Sequence, residues 1–310
     1  MDLDPPGEAS SRALPPRSAY IHIPFCRHRC GYCNFSVVAG RDELVDRFLR
    51  AIEIELSGFT SVPLDTLFVG GGTPTHLSVD QFERLMGTLH RAFHFNTDAE
   101  MTVEANPEDI DDEKLRILAD QGINRISLGV QSFQAAKLKT LERSHDGPIA
   151  ITAIEAAAET IGNVSIDLIF AVPGETVDDW RTDLRTAVEL PIDHLSAYTL
   201  TFEKGTAFWN RRRRGDLTAP PEDDDVAMYE AAREAAPSAG MEHYEVSNFA
   251  RPGRRCRHNQ AYWRGDGWYA AGPGAARFVG GRRETNHRSP STYLRRVLAG
   301  GDPTAERETP

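Results

Sequence analysis

Tyr20-Ile-His-Ile-Pro-Phe-Cys26-Arg-His-Arg-Cys30-Gly-Tyr-Cys33-Asn-Phe35 joins two signals in one stretch. Ser18–Ile23 has the alternation and β-branching of a strand. It runs into a loop that holds three of the four cysteines, spaced C-x3-C-x2-C. Three thiolates so close suit one soft metal centre, yet three do not complete a tetrahedral structural site. A structural zinc would need a fourth Cys or His, and His28 is poorly placed between the first two ligands. Iron–sulfur clusters are usually held by four thiolates, so three leave one iron open to another molecule.

Outward from this loop the chain alternates. Asp42–Leu56 carries Leu44, Val45, Phe48, Leu49, Ile52 and Leu56 at helical spacing. Leu64–Val69 reads as a strand ending in Gly70-Gly71-Gly72-Thr73-Pro74-Thr75, and Ser78 caps a helix to about Phe93. Strands are expected at Glu100–Glu104, Arg125–Gly129, Val164–Phe170 and His194–Leu200, with helices at Asp111–Gln121, Ala135–Leu141, Pro148–Ile161 and Val177–Glu189. Six strands alternating with helices over 18–200 indicate an α/β fold with a parallel sheet. Alternation alone does not choose between barrel and open sheet. The placement of Cys26–Cys33, Gly70–Thr75, Glu104, Gln131 and Asp167 at strand ends favours a barrel, whose C-terminal face carries the chemistry.

After Thr201 the alternation stops, and helices at Thr206–Arg214 and Asp223–Ala236 precede a strand at Met241–Phe249. The expected organisation is a disordered tail (1–17), a barrel (18–205), a smaller α+β extension (206–298) and a polar tail (299–310).

The 310 residues carry a net charge of −11, with 35 basic against 46 acidic side chains, which gives no reason to expect nucleic-acid binding. Arg211–Arg214 and Glu222–Asp225 read as solvated surface. No apolar run approaches the ~20 residues of a membrane span. The first residues lack the apolar segment of a signal peptide. The cysteines are therefore expected in a reducing compartment, the cytoplasm.

The glycine run suits a strand-to-helix turn or close approach of a ligand to the backbone, and lacks the Gly-Lys-Ser/Thr ending of a Walker motif. With Tyr32 just before its third Cys, the cysteine loop resembles that of the radical S-adenosylmethionine (SAM) superfamily. The resemblance implies a partial (β/α)6 TIM-like barrel and a 4Fe-4S cluster on Cys26, Cys30 and Cys33, whose fourth iron takes the methionyl amine and carboxylate of SAM. One electron then cleaves SAM to a 5′-deoxyadenosyl radical. By the same resemblance Tyr20, Tyr32, Gly72, Thr73, Pro74, Glu104, Gln131, Arg143 and Asp167 shape the SAM site. Arg143 suits the carboxylate, and Gln131 and Asp167 the ribose hydroxyls.

Tyr-Ile-His-Ile-Pro-Phe-Cys, Gly-Gly-Gly-Thr-Pro-Thr, Glu-Ala-Asn-Pro, Gly-Val-Gln-Ser-Phe and Asp-Leu-Ile-Phe-Ala-Val-Pro-Gly-Glu-Thr resemble the oxygen-independent coproporphyrinogen III oxidase group. That group includes true oxidases and HemW-type haem chaperones, and the resemblance covers roughly 18–297. The oxidases carry a further Cys where this chain has Phe35. His258-Asn259-Gln260-Ala261-Tyr262-Trp263 matches the H-N-x-x-Y-W motif associated with haem binding in the chaperones, which makes His258 the candidate axial ligand. Read without the resemblance, the same residues are a loop cap with Tyr262 and Trp263 in the core, and Cys256 is a small buried hydrophobe. The implied activity is haem binding and delivery to acceptor proteins such as respiratory enzymes; radical decarboxylation of coproporphyrinogen III is the alternative and is not expected. Members of the group continue for several tens of residues beyond this point into a C-terminal domain.

Overall fold

The computed structural model describes residues 15–59 and 62–309, so all but three positions of the expected N-terminal tail lie outside them. Strand β1 (Ser18–Ile23) leads into the cysteine loop, which is clasped by a short parallel pair, β2 (Phe25–Cys26) and β3 (Val38–Ala39). Helix α1 (Val45–Leu56) follows. Then come β4 (Leu64–Gly71), α2 (Val79–Ala92), β5 (Phe95–Ala105), α3 (Asp112–Asp120) and β6 (Arg125–Gln131). The series ends with α4 (Ala135–Thr140), α5 (Gly147–Thr160), β7 (Val164–Phe170), α6 (Val177–Glu189) and β8 (His194–Thr199). The six long strands pair in parallel in chain order, as helical crossovers require.

The remaining elements are α7 (Ala207–Arg214), α8 (Glu222–Ala235), β9 (Glu242–His243), β10 (Asn248–Ala250), α9 (Arg257–Arg264) and β11 (Tyr269–Ala271). They are followed by β12 (Ala276–Val279), β13 (Arg282–Asn286), α10 (Pro290–Leu298) and β14 (Thr304–Glu308). Three of these strands extend the main sheet, whose order is β11-β1-β4-β5-β6-β7-β8-β10-β9. Tyr20 on β1 and Asn248 on β10 line one cavity although six strand spacings separate them in that order. A flat sheet at about 4.8 Å per spacing would hold them about 29 Å apart. The sheet is therefore wrapped into an incomplete barrel.

The alternation of each strand sets its two faces. On β7, Val164, Ile166, Leu168 and Phe170 join the apolar core under the helices, while Asp167 points inward. On β6, Ile126, Leu128 and Val130 go outward, and Arg125 and Ser127 line the interior. Closed α/β barrels fill their centre with branched apolar side chains. This interior is polar instead and holds a cavity.

Two expectations need correction. The single strand over Met241–Phe249 is a hairpin, because the Glu245 carboxylate folds back to accept from Ser247 N (3.3 Å) and Asn248 Nδ2. The polar tail over 299–310 contains β14, which pairs antiparallel with β13 and is tied by Arg307 Nε to Glu284 (3.1 Å). Its stability comes from a remote partner strand, which local polarity does not reveal. Among the described residues no helix is long and apolar enough to cross a membrane.

Candidate functional site

The three loop cysteines are partly exposed on the wall of a cleft of about 380 Å³ at the C-terminal ends of the strands. The loop is held from several sides. Cys33 N donates to Cys30 O (3.0 Å), and Gly31 N donates to the carboxylate of Glu142 (2.8 Å), which Arg211 of α7 also reaches (3.2 Å). Thr73 Oγ1 donates toward Cys26 Sγ at 3.6 Å. Gly72 N donates to Ile23 O (2.7 Å), and a Cβ at Gly72 would stand 2.6 Å from Phe25 O and 3.0 Å from Cys26 Sγ. That closeness explains the glycine run: the end of β4 lies directly against the cysteine loop.

Burial pushes the Cys26 thiol up to about 12 and raises Cys33, so metal binding here must displace protons. Among the described residues no three His, Cys, Asp or Glu side chains close round a single ion. Thiols that each hold a different iron of one cluster need not do so.

Opposite the thiols, Arg143 leaves the turn after α4 and enters the cleft. Its Nη1 points at Cys30 Sγ (3.7 Å), and its Nη2 donates to Asn106 Oδ1 (2.6 Å) and Gly129 O (3.0 Å). Its Nε is buried without a partner among the described residues. Glu104, at the end of β5, accepts from Gly71 N (2.7 Å), and burial pushes its carboxyl up to about 7. Asp167 faces Ser127 Oγ (3.4 Å), and burial raises it also. Gln131 lines the cleft with φ of 65°. The buried Asp183 holds that conformation by accepting from Ser132 Oγ (2.7 Å) and Phe133 N (2.9 Å).

Tyr32, Gly72, Thr73, Glu104, Gln131, Arg143, Asp167 and the three cysteines all face this one cleft. Three expected residues do not. Pro74 is buried at the start of a 3-10 turn. Tyr20 sits lower, in an inner cavity of about 230 Å³, with its hydroxyl on His22 Nδ1 (3.0 Å). His258 is buried on α9 against the same inner cavity. Its Nδ1 meets Thr66 Oγ1 and its Nε2 meets Tyr262 OH, both at 2.8 Å, so neither nitrogen is left for an iron in this conformation. The backbone N–H of His258 donates to Glu100 (3.1 Å), a carboxylate under the start of α9 where the helix dipole favours it. Cys256 caps that helix, accepting from Asn259 N (3.4 Å). Trp263, which the reading without the resemblance puts in the core, is exposed.

Asn106, Glu142 and His22 were missed in the sequence. Asn106 joins Arg143 to Thr73, donating to Thr73 Oγ1 (3.0 Å), and its strand-end position in Glu-Ala-Asn-Pro was the available signal. His22 ties β1 to the far end of the cysteine loop at Ser36 O (3.1 Å).

Residues 20–187 match the family model of the radical SAM superfamily. The chain belongs to that superfamily. It is 40% identical over 281 residues to "Heme chaperone HemW" of Lactococcus lactis, covering 90% of this chain and 74% of that one. It is 39% identical to the protein of the same name in Bacillus subtilis, covering 93% and 77%. Within the superfamily it is thus a HemW-type protein. The solved structure of coproporphyrinogen III oxidase (HemN) from Escherichia coli superposes with a TM-score of 0.84 at 26% identity, covering 96% of this chain and 72% of that one.

Proposed function

We propose that this chain is a haem chaperone that holds a 4Fe-4S cluster on Cys26, Cys30 and Cys33 and binds SAM in the adjoining cleft. It also binds haem and passes it to acceptor proteins, respiratory enzymes among them. The observation that carries this reading is 39–41% identity, over at least 90% of the chain, to proteins named for haem chaperoning, against 26% to the oxidase. Phe35, where the oxidases resemble one another in a further Cys, favours the same branch.

The residues present fit the two cofactors. Three thiols face the cleft, Gly72 packs directly against the loop that carries them, and Arg143 presents a buried N–H without a partner among the described residues. When bound, the cluster and SAM supply one-electron chemistry. The chain's own groups do the positioning: Arg143 suits a carboxylate, Glu104 an amine, and Asp167 and Gln131 hydroxyls. Residues 18–205 form the cofactor-binding barrel and residues 206–298 its extension. A cytoplasmic location agrees with four free cysteines.

Anaerobic reconstitution tests the cluster. About four irons should bind per chain, and Cys30→Ala should abolish the cluster. Zinc bound in place of iron would end this reading.

A further inference from the structure

We infer that haem docks on the outer face of the cysteine loop, with its carboxylates on Lys204 and Arg288 and its macrocycle against Phe35. This rests on the haem-binding reading above. In this conformation both ring nitrogens of His258 are engaged, and the inner cavity beside it, at about 230 Å³, is below the usual size of a small-molecule site. A groove of about 530 Å³, within the roughly 300–1,000 Å³ typical of small-molecule sites, is lined by Arg29, Asn34, Phe35, Lys204, Arg288 and Pro290.

Two features give the groove its chemistry. Phe35 is 60% exposed, a large aromatic presented to water on a loop otherwise rich in polar residues. Arg29, Lys204 and Arg288 take part in none of the ion pairs found among the described residues, although acids outnumber bases 46 to 35. The groove lining thus carries three cations and no carboxylate, although the chain as a whole is acidic. Arg288 is fixed by donating to Asn34 O and Asn34 Oδ1 (3.3 Å), which leaves other N–H groups of its fork for a carboxylate. A planar aromatic dicarboxylate matches this set: an aromatic face for Phe35 and two anions for the rim. Asn34 and Phe35 also border the cleft of the three thiols, so the groove adjoins the cofactor site.

The test is a Soret titration of the reconstituted full chain with haem and, separately, with haem dimethyl ester, whose carboxylates are blocked. Phe35→Ser and Lys204→Glu should each weaken haem binding about tenfold or more. Wild type should bind the ester about tenfold more weakly than haem, and His258→Ala should bind haem within about twofold of wild type. Among the described residues Lys204 makes no hydrogen bond that its replacement would break, and the ester comparison needs no variant. If wild type binds haem but the ester and both groove variants match it, the groove is wrong and the haem-binding reading stands. If only His258→Ala weakens binding, the site returns to the inner cavity and the inference falls. If wild type binds no haem, the underlying reading fails first. If the groove changes slow cluster reduction by an acidic electron-carrier protein and leave haem affinity intact, the groove belongs to that partner and the inference is overturned.

Discussion

Arg143 holds its Nη1 at 3.7 Å from Cys30 Sγ while its buried Nε has no partner among the described residues. One guanidinium thus reaches both a loop cysteine and the space beside it. Arg143→Ala should keep iron but weaken SAM binding by about 1.5–3 kcal/mol, the worth of a hydrogen bond to a charged group. That is roughly ten- to a hundredfold in Kd by anaerobic calorimetry. Arg143→Lys should recover only part of it, since a point charge lacks the fork. Equal SAM affinity in Arg143→Ala would remove Arg143 from the site.

Glu104 gives a pH signature. Folding raises its carboxyl from 4.5 to about 7 by burial, so the folded chain keeps a proton that the unfolded chain releases. Its contribution to stability is fully present below pH 4.5 and fades as pH rises through 7. The total is on the order of 3 kcal/mol. Urea midpoints of the cluster-free chain at pH 5 and pH 8 should fall more steeply in wild type than in Glu104→Gln. Parallel slopes would show that Glu104 titrates normally.

At Gly72 a methyl group would press on two backbone oxygens and Cys26 Sγ, at 2.6, 2.9 and 3.0 Å. Gly72→Ala should cost about 1–3 kcal/mol as overpacking and reduce iron incorporation. Full iron loading at unchanged stability would mean that β4 and the loop are not wedged together.

Glu142 has φ of 57° and anchors Gly31 N through its carboxylate. Glu142→Gly relaxes the backbone but loses that acceptor, whereas Glu142→Gln keeps it. Iron retained after desalting should therefore rank wild type and Gln above Gly. If Gly retains iron as well as wild type, the anchor has no role in holding the cluster.

The parts of the site that were legible in the sequence are those set by short-range pattern. Cys26, Cys30 and Cys33 share one loop, and Glu104, Gln131 and Asp167 sit at predictable strand ends. Depth along the barrel was not legible. Tyr20 shares the inward face of β1 yet belongs to the inner cavity, and His258 was expected at a haem site yet packs over Glu100 inside the barrel. Arg143 was placed in the site by resemblance alone, and the contacts to Asn106 and Gly129 that carry it into the cleft are not visible in local sequence. Strand β14 was hidden because Thr304–Glu308 is polar and owes its conformation to β13.

The central claim is haem handling without porphyrin oxidation. The most direct measurement gives one anaerobically reconstituted, SAM-loaded sample both haem and, in a parallel cuvette, coproporphyrinogen III with a reductant. The account predicts a saturable Soret shift with haem and no protoporphyrinogen from the second substrate. Protoporphyrinogen formation with an unshifted Soret band would contradict it.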